Sequence, residues 1–385
     1  MEDEVGIEEL KVEDKKKIVR VPNRYNIYFK IKSNFLFRKF RVYKLFTFLE
    51  LYLKWTKSVY FDNEKGLYIA ARKILKKTDF DYVIASGEPF ILFKYAIMLK
   101  KEFKSKVALD YRDGWTTNEL SNSTDSFLQK KRLKYQKKAE SKIINQADLL
   151  IFASETLKNE VKECFSSQLK NVKKGVVNNG VKFFEFSDQK NKFLKKNKFY
   201  ISFIGTLYKE HNVSLFLNAF EDLILKYNCS DIVIVFVGSM LNCPAEHFNR
   251  IKKFADLYEN NIYFIDYVDN KNAVKIQLES SLLLKFNAFE QKKGHFGKKL
   301  YEYAFSGKKV LAIDRCKGFV NELDFFDDRP FIYNFNSKDQ IIDSIKVFYK
   351  KWQNKEPLSN EISKDELDPF TTKQQTIFLE QLLNL

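Results

Sequence analysis

The sequence predicts an α/β protein made of two doubly wound domains in tandem. Three observations predict it. Short, near-continuous apolar runs alternate with helix-period segments along most of the chain, which is the pattern of parallel strands covered on both faces. The alternation stops at a polar, lysine-rich stretch, FFEFSDQKNKFLKKN (residues 183–197), and then starts afresh. The 385 residues are enough for two ordinary domains, each with a core of its own.

The elements follow in order. The first strand-like piece is KKIVRVP (residues 16–22), preceded only by an acidic leader, MEDEVGIEEL. A doubly wound domain normally opens with a strand and a glycine-rich turn, so the N-terminal domain reads as short by one β-α unit. DYVIAS (81–86) is a strand, and Ile91–Phe103 is helix-like. KVALDY (106–111) is a second strand, followed by a long charged helix over Phe127–Asn145. ADLLIFAS (147–154) is a third strand, ETLKNEVKECF (155–165) a helix, and KKGVVNNGV (173–181) a fourth strand ending in a turn. The second series has the strands FYISFIG, DIVIVFVGS, IYFIDY, SLLLKF and KVLAID, with helices between them. Residues 1–185 are the N-terminal domain, 186–197 the linker, 198–360 the C-terminal domain and 361–385 a C-terminal piece whose end, Asp368–Leu385, reads as an amphipathic helix.

Composition narrows the function. An apolar content of 45% excludes a disordered chain. The net charge of +17 favours an anionic partner: nucleic acid, an acidic membrane surface or a phosphate-bearing substrate. Cys164, Cys229, Cys243 and Cys316 are scattered, as are His211, His247 and His295. No metal or cofactor site is expected from them, and free thiols in a reducing compartment are the default. The N-terminus lacks a signal-peptide pattern, and no apolar run reaches the ~18 residues of a transmembrane helix. The expectation is a cytoplasmic protein, soluble or attached to the inner face of the cell membrane.

Some segments fit more than one reading. Arg24–Trp55 interleaves aromatic residues with Lys and Arg and contains one acid, Glu50. Such a stretch can lie on anionic lipid, form a helix pair with solvated lysines, or bind nucleic acid. Asp79-Phe80-Asp81 fits a D-x-D metal pattern, but it precedes its strand and reads as a polar lead-in; Asp324–Asp328 is similar. No Ser-His-Asp arrangement or redox cysteine pair is evident.

The candidate site lies in the second domain. Ligands of α/β sheets sit at the carboxyl ends of strands, against helix N-termini. Three turns qualify: GTLYKEHN (205–212), GSMLNCP (238–244) and the turn in GHFGKKLYEYAFSGKKVLAI (294–313). In the last, Gly294 and Gly297 permit close backbone approach, and the helix after Gly297 offers N–H groups to an anion. Lys298 and Lys299 add positive charge where acidic residues are usual, and Glu302 lies about one turn in, where a carboxylate can accept from sugar hydroxyls. Diphosphate plus ribose describes a nucleotide. A glycine-kinked surface helix with solvated lysines fits the spacing equally well.

The pattern FG-x-x-x-x-E-x-x-x-x-G-K-x-V-L, late in a second α/β domain, resembles the donor site of family 4 (group 1) glycosyltransferases of GT-B fold. ISFIGTLYKEHNVSLFLNAF, VFVGS, VVNNGV and ADLLIFAS resemble segments of the same family in the same order, and DYVIASGEPF with ALDYRDGW resembles its capsule and lipopolysaccharide branch. The resemblance covers residues 70–385 or so. It implies two Rossmann-like domains facing a cleft, and sugar transfer from a nucleotide diphosphate sugar to a hydroxyl of a lipid-linked or surface polysaccharide. It further implies retention of configuration, no metal and no cofactor; a basic nucleic-acid-binding protein is a further alternative, but no recognised module for it is visible and no nucleic-acid partner is expected. Glu302 would bind the donor ribose, the backbone at Phe296 and Gly297 the diphosphate, and Gly205 would let the strand end approach it. Arg112 and Asp113 would stand at the cleft, on the transferred sugar or the acceptor hydroxyl; a local Arg–Asp salt bridge is the alternative. Trp115 could stack on a sugar face.

Three positions depart from the family pattern. Gly294 stands where the E-x7-E motif has its first glutamate, Thr206 replaces an arginine, and His211 replaces a phosphate-binding lysine. Lys209, Lys298 or Lys299 would have to supply that charge. A degenerate GT-B protein that binds nucleotide or a partner enzyme without catalysis is the second expectation.

Overall fold

Strands that are apolar along their whole length are stable where helices cover both faces of their sheet. KVALDY fits that condition: Val107, Ala108, Leu109 and Tyr111 have no exposed surface. The structure, a computed structural model, describes residues 8–11, 17–21, 64–117, 127–182, 193–194, 197–238, 240, 242–286, 298–313, 332–359 and 363–384. The chain divides into two compact units, residues 1–178 with 379–385, and residues 179–378.

The first unit opens with an antiparallel hairpin of β1 (Glu8–Lys11) and β2 (Lys17–Arg20), Glu8 opposite Arg20. Residues 22–63 lie outside the described residues, and with them the expected gap of one β-α unit and the basic aromatic stretch Arg24–Trp55. There follow α1 (Lys65–Leu75), β3 (Tyr82–Gly87), α2 (Ile91–Glu102), β4 (Lys106–Tyr111), α3 (Phe127–Ile144), β5 (Leu149–Phe152), α4 (Glu155–Cys164) and β6 (Lys173–Val176). The sheet runs β3-β4-β5-β6, all parallel. On one face Phe93, Phe152, Leu157 and Val161 share a core. On the other, Ala108, Leu149 and Ile151 pack with Leu379, Leu382 and Leu383 from the end of the chain. Asp79 and Asp81 are exposed ahead of β3. Asp324–Asp328 lies outside the described residues.

The second unit contains β7 (Phe199–Ile204), α5 (Val213–Tyr227), β8 (Ile232–Val237), α6 (Ala245–Leu257), β9 (Ile262–Ile265), α7 (Asn270–Glu279) and β10 (Leu282–Phe286). It continues through α8 (Lys298–Phe305), β11 (Val310–Ile313), β12 (Ile332–Phe335), α9 (Lys338–Gln353), α10 (Lys364–Leu367) and the start of α11 (Thr372–Leu383), whose residues from Leu379 on belong to the first unit. Its parallel sheet has the order β12-β11-β10-β7-β8-β9. Phe203, Phe216, Phe220, Phe236 and Phe254 fill the core on one face, and Tyr200, Val233, Val235 and Ile276 share a cluster on the other. Asn212 starts α5 by accepting the Leu215 N–H at 3.3 Å, and Asn228 ends it in the left-handed region at φ 54°. The expected helix Asp368–Leu385 is instead a 3-10 turn, Asp368–Phe370, followed by α11. Pro369 sits at the start of that turn, and the extended Thr371 separates it from the helix.

Candidate functional site

In parallel α/β sheets, ligands collect outside the carboxyl ends of strands where the strand order reverses. In the second unit that place is between β7 and β10. Gly205 follows β7 with φ 134°, a conformation that side-chain-bearing residues rarely adopt. Space requires glycine as well: a β-carbon at 205 would collide with the ammonium of Lys299. Lys299 therefore reaches from the first turn of α8 back over the end of β7. Burial of its ammonium lowers its pKa, with Glu302 acting in the opposite direction, although the residue as a whole is exposed.

Helix α8 is held by Tyr301, Tyr303 and Ala304, which pack with Leu283, Val310 and Ala312. Lys299 and Glu302, three residues apart, are neighbours on its surface. Glu302 Oε1 accepts from Asn270 Nδ2 at 3.3 Å. Asn270 opens α7, which is capped by Asp269 accepting the Asn272 N–H at 2.8 Å. Three residues earlier, Tyr267 is 80% exposed. Its Cα lies 3.9 Å from where a β-carbon on Gly238 would stand, and Gly238 has φ 65°. An ammonium over the end of β7 and a carboxylate held by an amide thus stand on the first turns of α8.

Lys209 is exposed in the turn after Gly205. It lines a pocket of about 410 Å³ with His211, Asn212 and Ser214, and with Glu246 and His247 of α6. His211 is buried, and burial lowers its pKa to about 4, with His247, Lys285 and Lys299 adding to the effect. Lys298 starts α8, but its side chain lies outside the described residues, as do Gly294, Phe296 and Gly297 altogether. The structure thus brings Gly205, Lys299 and Glu302 to one place. Sequence reasoning missed Asn270 as a partner of Glu302; the available signal was a helix start, DNKN, just after a strand.

In the first unit, Arg112 turns back on its own strand. Its guanidinium donates to Asp110 Oδ1 from Nη2 at 2.6 Å and from Nε at 2.8 Å, and to the Val177 carbonyl at 3.0 Å. Ser86 donates to Asp110 Oδ2 at 2.7 Å. The local Arg–Asp pair is therefore Arg112–Asp110, not Arg112–Asp113, and it ties the ends of β3, β4 and β6 together. Asp113 is exposed. Trp115 is not placed to stack on a sugar: it is 3% exposed and stacked on Phe90 at 5.3 Å.

Glu140 was not singled out from the sequence. It is fully buried, accepting from the Tyr111 hydroxyl at 3.0 Å and from the Thr116 hydroxyl at 2.5 Å. Burial raises its pKa to about 7. Gln136, Glu140 and Ile144 follow at four-residue spacing on the buried side of α3. Among the described residues, no group of three or more His, Cys, Asp or Glu could hold a metal ion.

Residues 184–365 match the family model described as "Glycosyl transferases group 1". The chain is 29% identical over 245 residues to an uncharacterized glycosyltransferase of Methanocaldococcus jannaschii, MJ1069, a match that spans 62% of this chain and 58% of the relative. Among solved structures it is similar to a sucrose-phosphate synthase of Thermosynechococcus elongatus, with a TM-score of 0.62 at 13% identity over 86% of this chain and 81% of the other. It is also similar to HepE of Anabaena in complex with UDP-glucose, with a TM-score of 0.58 at 13% identity over 83% of this chain and 82% of the other. The structural likenesses show the fold, which is GT-B: two Rossmann-like α/β units.

Proposed function

We propose, from a group 1 glycosyl transferase domain over residues 184–365, that this protein is a glycosyltransferase using a nucleotide diphosphate sugar. The observation that carries the reading is the Lys299 ammonium seated on Gly205 at the end of β7, with Glu302 three residues along the same helix. Here Lys299 meets the diphosphate, and Gly205 lets the strand end approach it. Glu302, oriented by Asn270, accepts from the ribose hydroxyls, and the exposed ring of Tyr267 offers a face to the base. Lys299 takes over the charge of the arginine and lysine that Thr206 and His211 replace.

In the transfer, an acceptor hydroxyl oxygen bonds to the anomeric carbon while that carbon's bond to the diphosphate oxygen breaks. The leaving group departs as a nucleoside diphosphate, its growing negative charge met by Lys299. Asp113 is the carboxylate this reading assigns to the acceptor hydroxyl, whose proton it orients or receives. Arg112 is a brace for the strand end. Retention of configuration and leaving-group stabilisation without a metal belong to the same reading, as do a lipid-linked or surface polysaccharide acceptor and attachment to the inner face of the membrane. The lysines on the exposed side of α3 support an anionic surface as partner.

A panel of nucleotide sugars, read by release of nucleoside diphosphate with and without a chelator, tests this. Release from at least one donor, undiminished by chelator, is the expected result; chelator-sensitive release would remove the metal-free mechanism. Gly294, in place of the first glutamate of E-x7-E, favours a second reading: a protein that binds nucleotide without transfer. Tight nucleotide binding with no release from any donor would select it.

A further inference from the structure

Tyr208 lies in the loop that leaves β7, three residues after Gly205 and next to Lys209. Both polar atoms of its backbone are held by histidines. Its N–H donates to His211 Nδ1 at 3.2 Å. Its carbonyl lies 3.0 Å from His247 Nε2, on α6, and also accepts the His211 N–H at 3.1 Å. These contacts assign both tautomers. His211 must leave Nδ1 unprotonated, and His247 must carry a proton on Nε2. Neither ring is a surface group: His211 is 8% exposed and His247 5%. His211 also stacks on Phe286 of β10 at 5.7 Å and meets the Tyr208 ring edge-on at 5.3 Å. Leu207, 1% exposed, fixes the chain just before.

The geometry points to His211 and His247 as a clamp on the Tyr208 peptide, which sets the β7 loop so that Gly205 and Lys209 present one arrangement to a nucleoside diphosphate. It rests on the donor-site reading above. Both histidines are positioning residues, acting through the loop backbone. The clamp needs a neutral His211, because an imidazolium has no lone pair for the Tyr208 N–H. Burial keeps that ring neutral, and the charged groups around it add to the effect. His247 faces it from α6, Lys285 from β10 and Lys299 from α8, all opposing a further positive charge. Lys209 and Glu210 of the turn and Glu246 of α6 line the pocket beside it. A lysine at this position would add a second ammonium near Lys299; a neutral imidazole organises the loop without one.

The first test is on the parent protein. Nitrogen NMR of labelled imidazoles at neutral pH should show His211 neutral and protonated on Nε2; a charged ring or an Nδ1–H tautomer overturns the clamp. The second uses calorimetry with UDP and GDP on the full chain. His211→Leu removes the acceptor and His247→Ala the donor, and each should weaken binding about tenfold. His211→Asn and His247→Gln place an amide oxygen and an amide N–H near the lost nitrogens and should recover most of it. Equal losses in the amide and apolar variants would mean that the hydrogen bonds are not the cause, and parent-like binding in folded apolar variants would also overturn the clamp. Amide exchange over residues 205–211 separates this from the donor reading. If no nucleotide binds the parent, the donor reading falls, and faster exchange in the apolar variants alone still supports the clamp, while unchanged exchange sinks it.

Discussion

At Gly205 the backbone conformation and the seat of the Lys299 ammonium both require a residue without a side chain. Partial burial makes a cation there less favourable than a solvated lysine. An anionic ligand would reverse that cost. Losing one hydrogen bond to a charged group costs roughly 1.5–3 kcal/mol, which is about ten- to a hundredfold in affinity. Glu302→Ala and Lys299→Met should each weaken UDP or GDP binding by at least about tenfold while the melting temperature stays near the parent's. Unchanged calorimetric affinity in either folded variant would take that residue out of the site. In the first unit, neighbouring residues separate two effects. Arg112 is committed to Asp110 and the Val177 carbonyl, whereas Asp113 is exposed. Arg112→Ala should therefore lower the melting temperature. Asp113→Asn should melt and bind nucleotide like the parent and lose transfer by about a hundredfold or more. Full transfer by a stable Asp113→Asn protein would exclude the carboxylate from the reaction.

The segment from β4 to Thr116 is held from below by one buried carboxyl group on α3. Tyr111 and Thr116 both donate to Glu140, so the helix fixes the two ends of the loop that carries Arg112 and Asp113. Burial raises this acid from 4.5 in the unfolded chain to about 7 in the fold. The folded state thus holds the proton more tightly. Its contribution to stability is fully present below about pH 4.5 and is lost as pH rises through about 7, an effect of at most about 3 kcal/mol. Glu140→Gln keeps a neutral group of the same shape. Its melting temperature should exceed the parent's above pH 7 and the difference should shrink toward pH 5; a pH-independent difference would assign the effect to packing alone. The strands were legible in the sequence because strands buried on both faces, such as IVIVFV and LLIF, must be continuous apolar runs. Gly205 and Glu302 were legible because their spacing to glycines and strands is local. Other features are not local. That Lys299 reaches Gly205 depends on the phase of α8, His247 reaches a carbonyl 39 residues away, and Lys173 donates to the Leu382 carbonyl 209 residues on. Glu140 was hidden because a glutamate in a lysine-rich helix looks solvated until the helix faces are known.

Charge is a property of the whole chain, and at +17 it is large enough to select partners. Part of it has a definite location. On α3 the side chains of Lys130, Lys131, Lys134, Lys137, Lys138 and Lys142 are exposed, with Phe127 69% exposed at its start, while the helix's carboxylate, Glu140, is buried. The outer side of that 18-residue helix therefore presents cations and an aromatic ring. Arg24–Trp55 has the same composition, with one acid. Among the described residues, no helix is long and apolar enough to cross a membrane. Rings at an interface and ammonium groups toward headgroups suit anionic lipid, where each lysine near the surface contributes about 1 kcal/mol. The full chain should therefore sediment with vesicles of mixed phosphatidylglycerol and phosphatidylcholine and not with phosphatidylcholine alone. Salt should release it, because the screening length falls from about 10 Å at 0.1 M to about 3 Å at 1 M. Changing Lys130, Lys134 and Lys138 to glutamate should weaken the association without altering nucleotide affinity, since the proposed donor site is on the other unit. Neutralising the cations of Arg24–Trp55 should have the same effect if that stretch shares the contact. Equal sedimentation with neutral and anionic vesicles at low salt would remove the membrane partner, and binding of single-stranded RNA with the same salt dependence would put nucleic acid in its place.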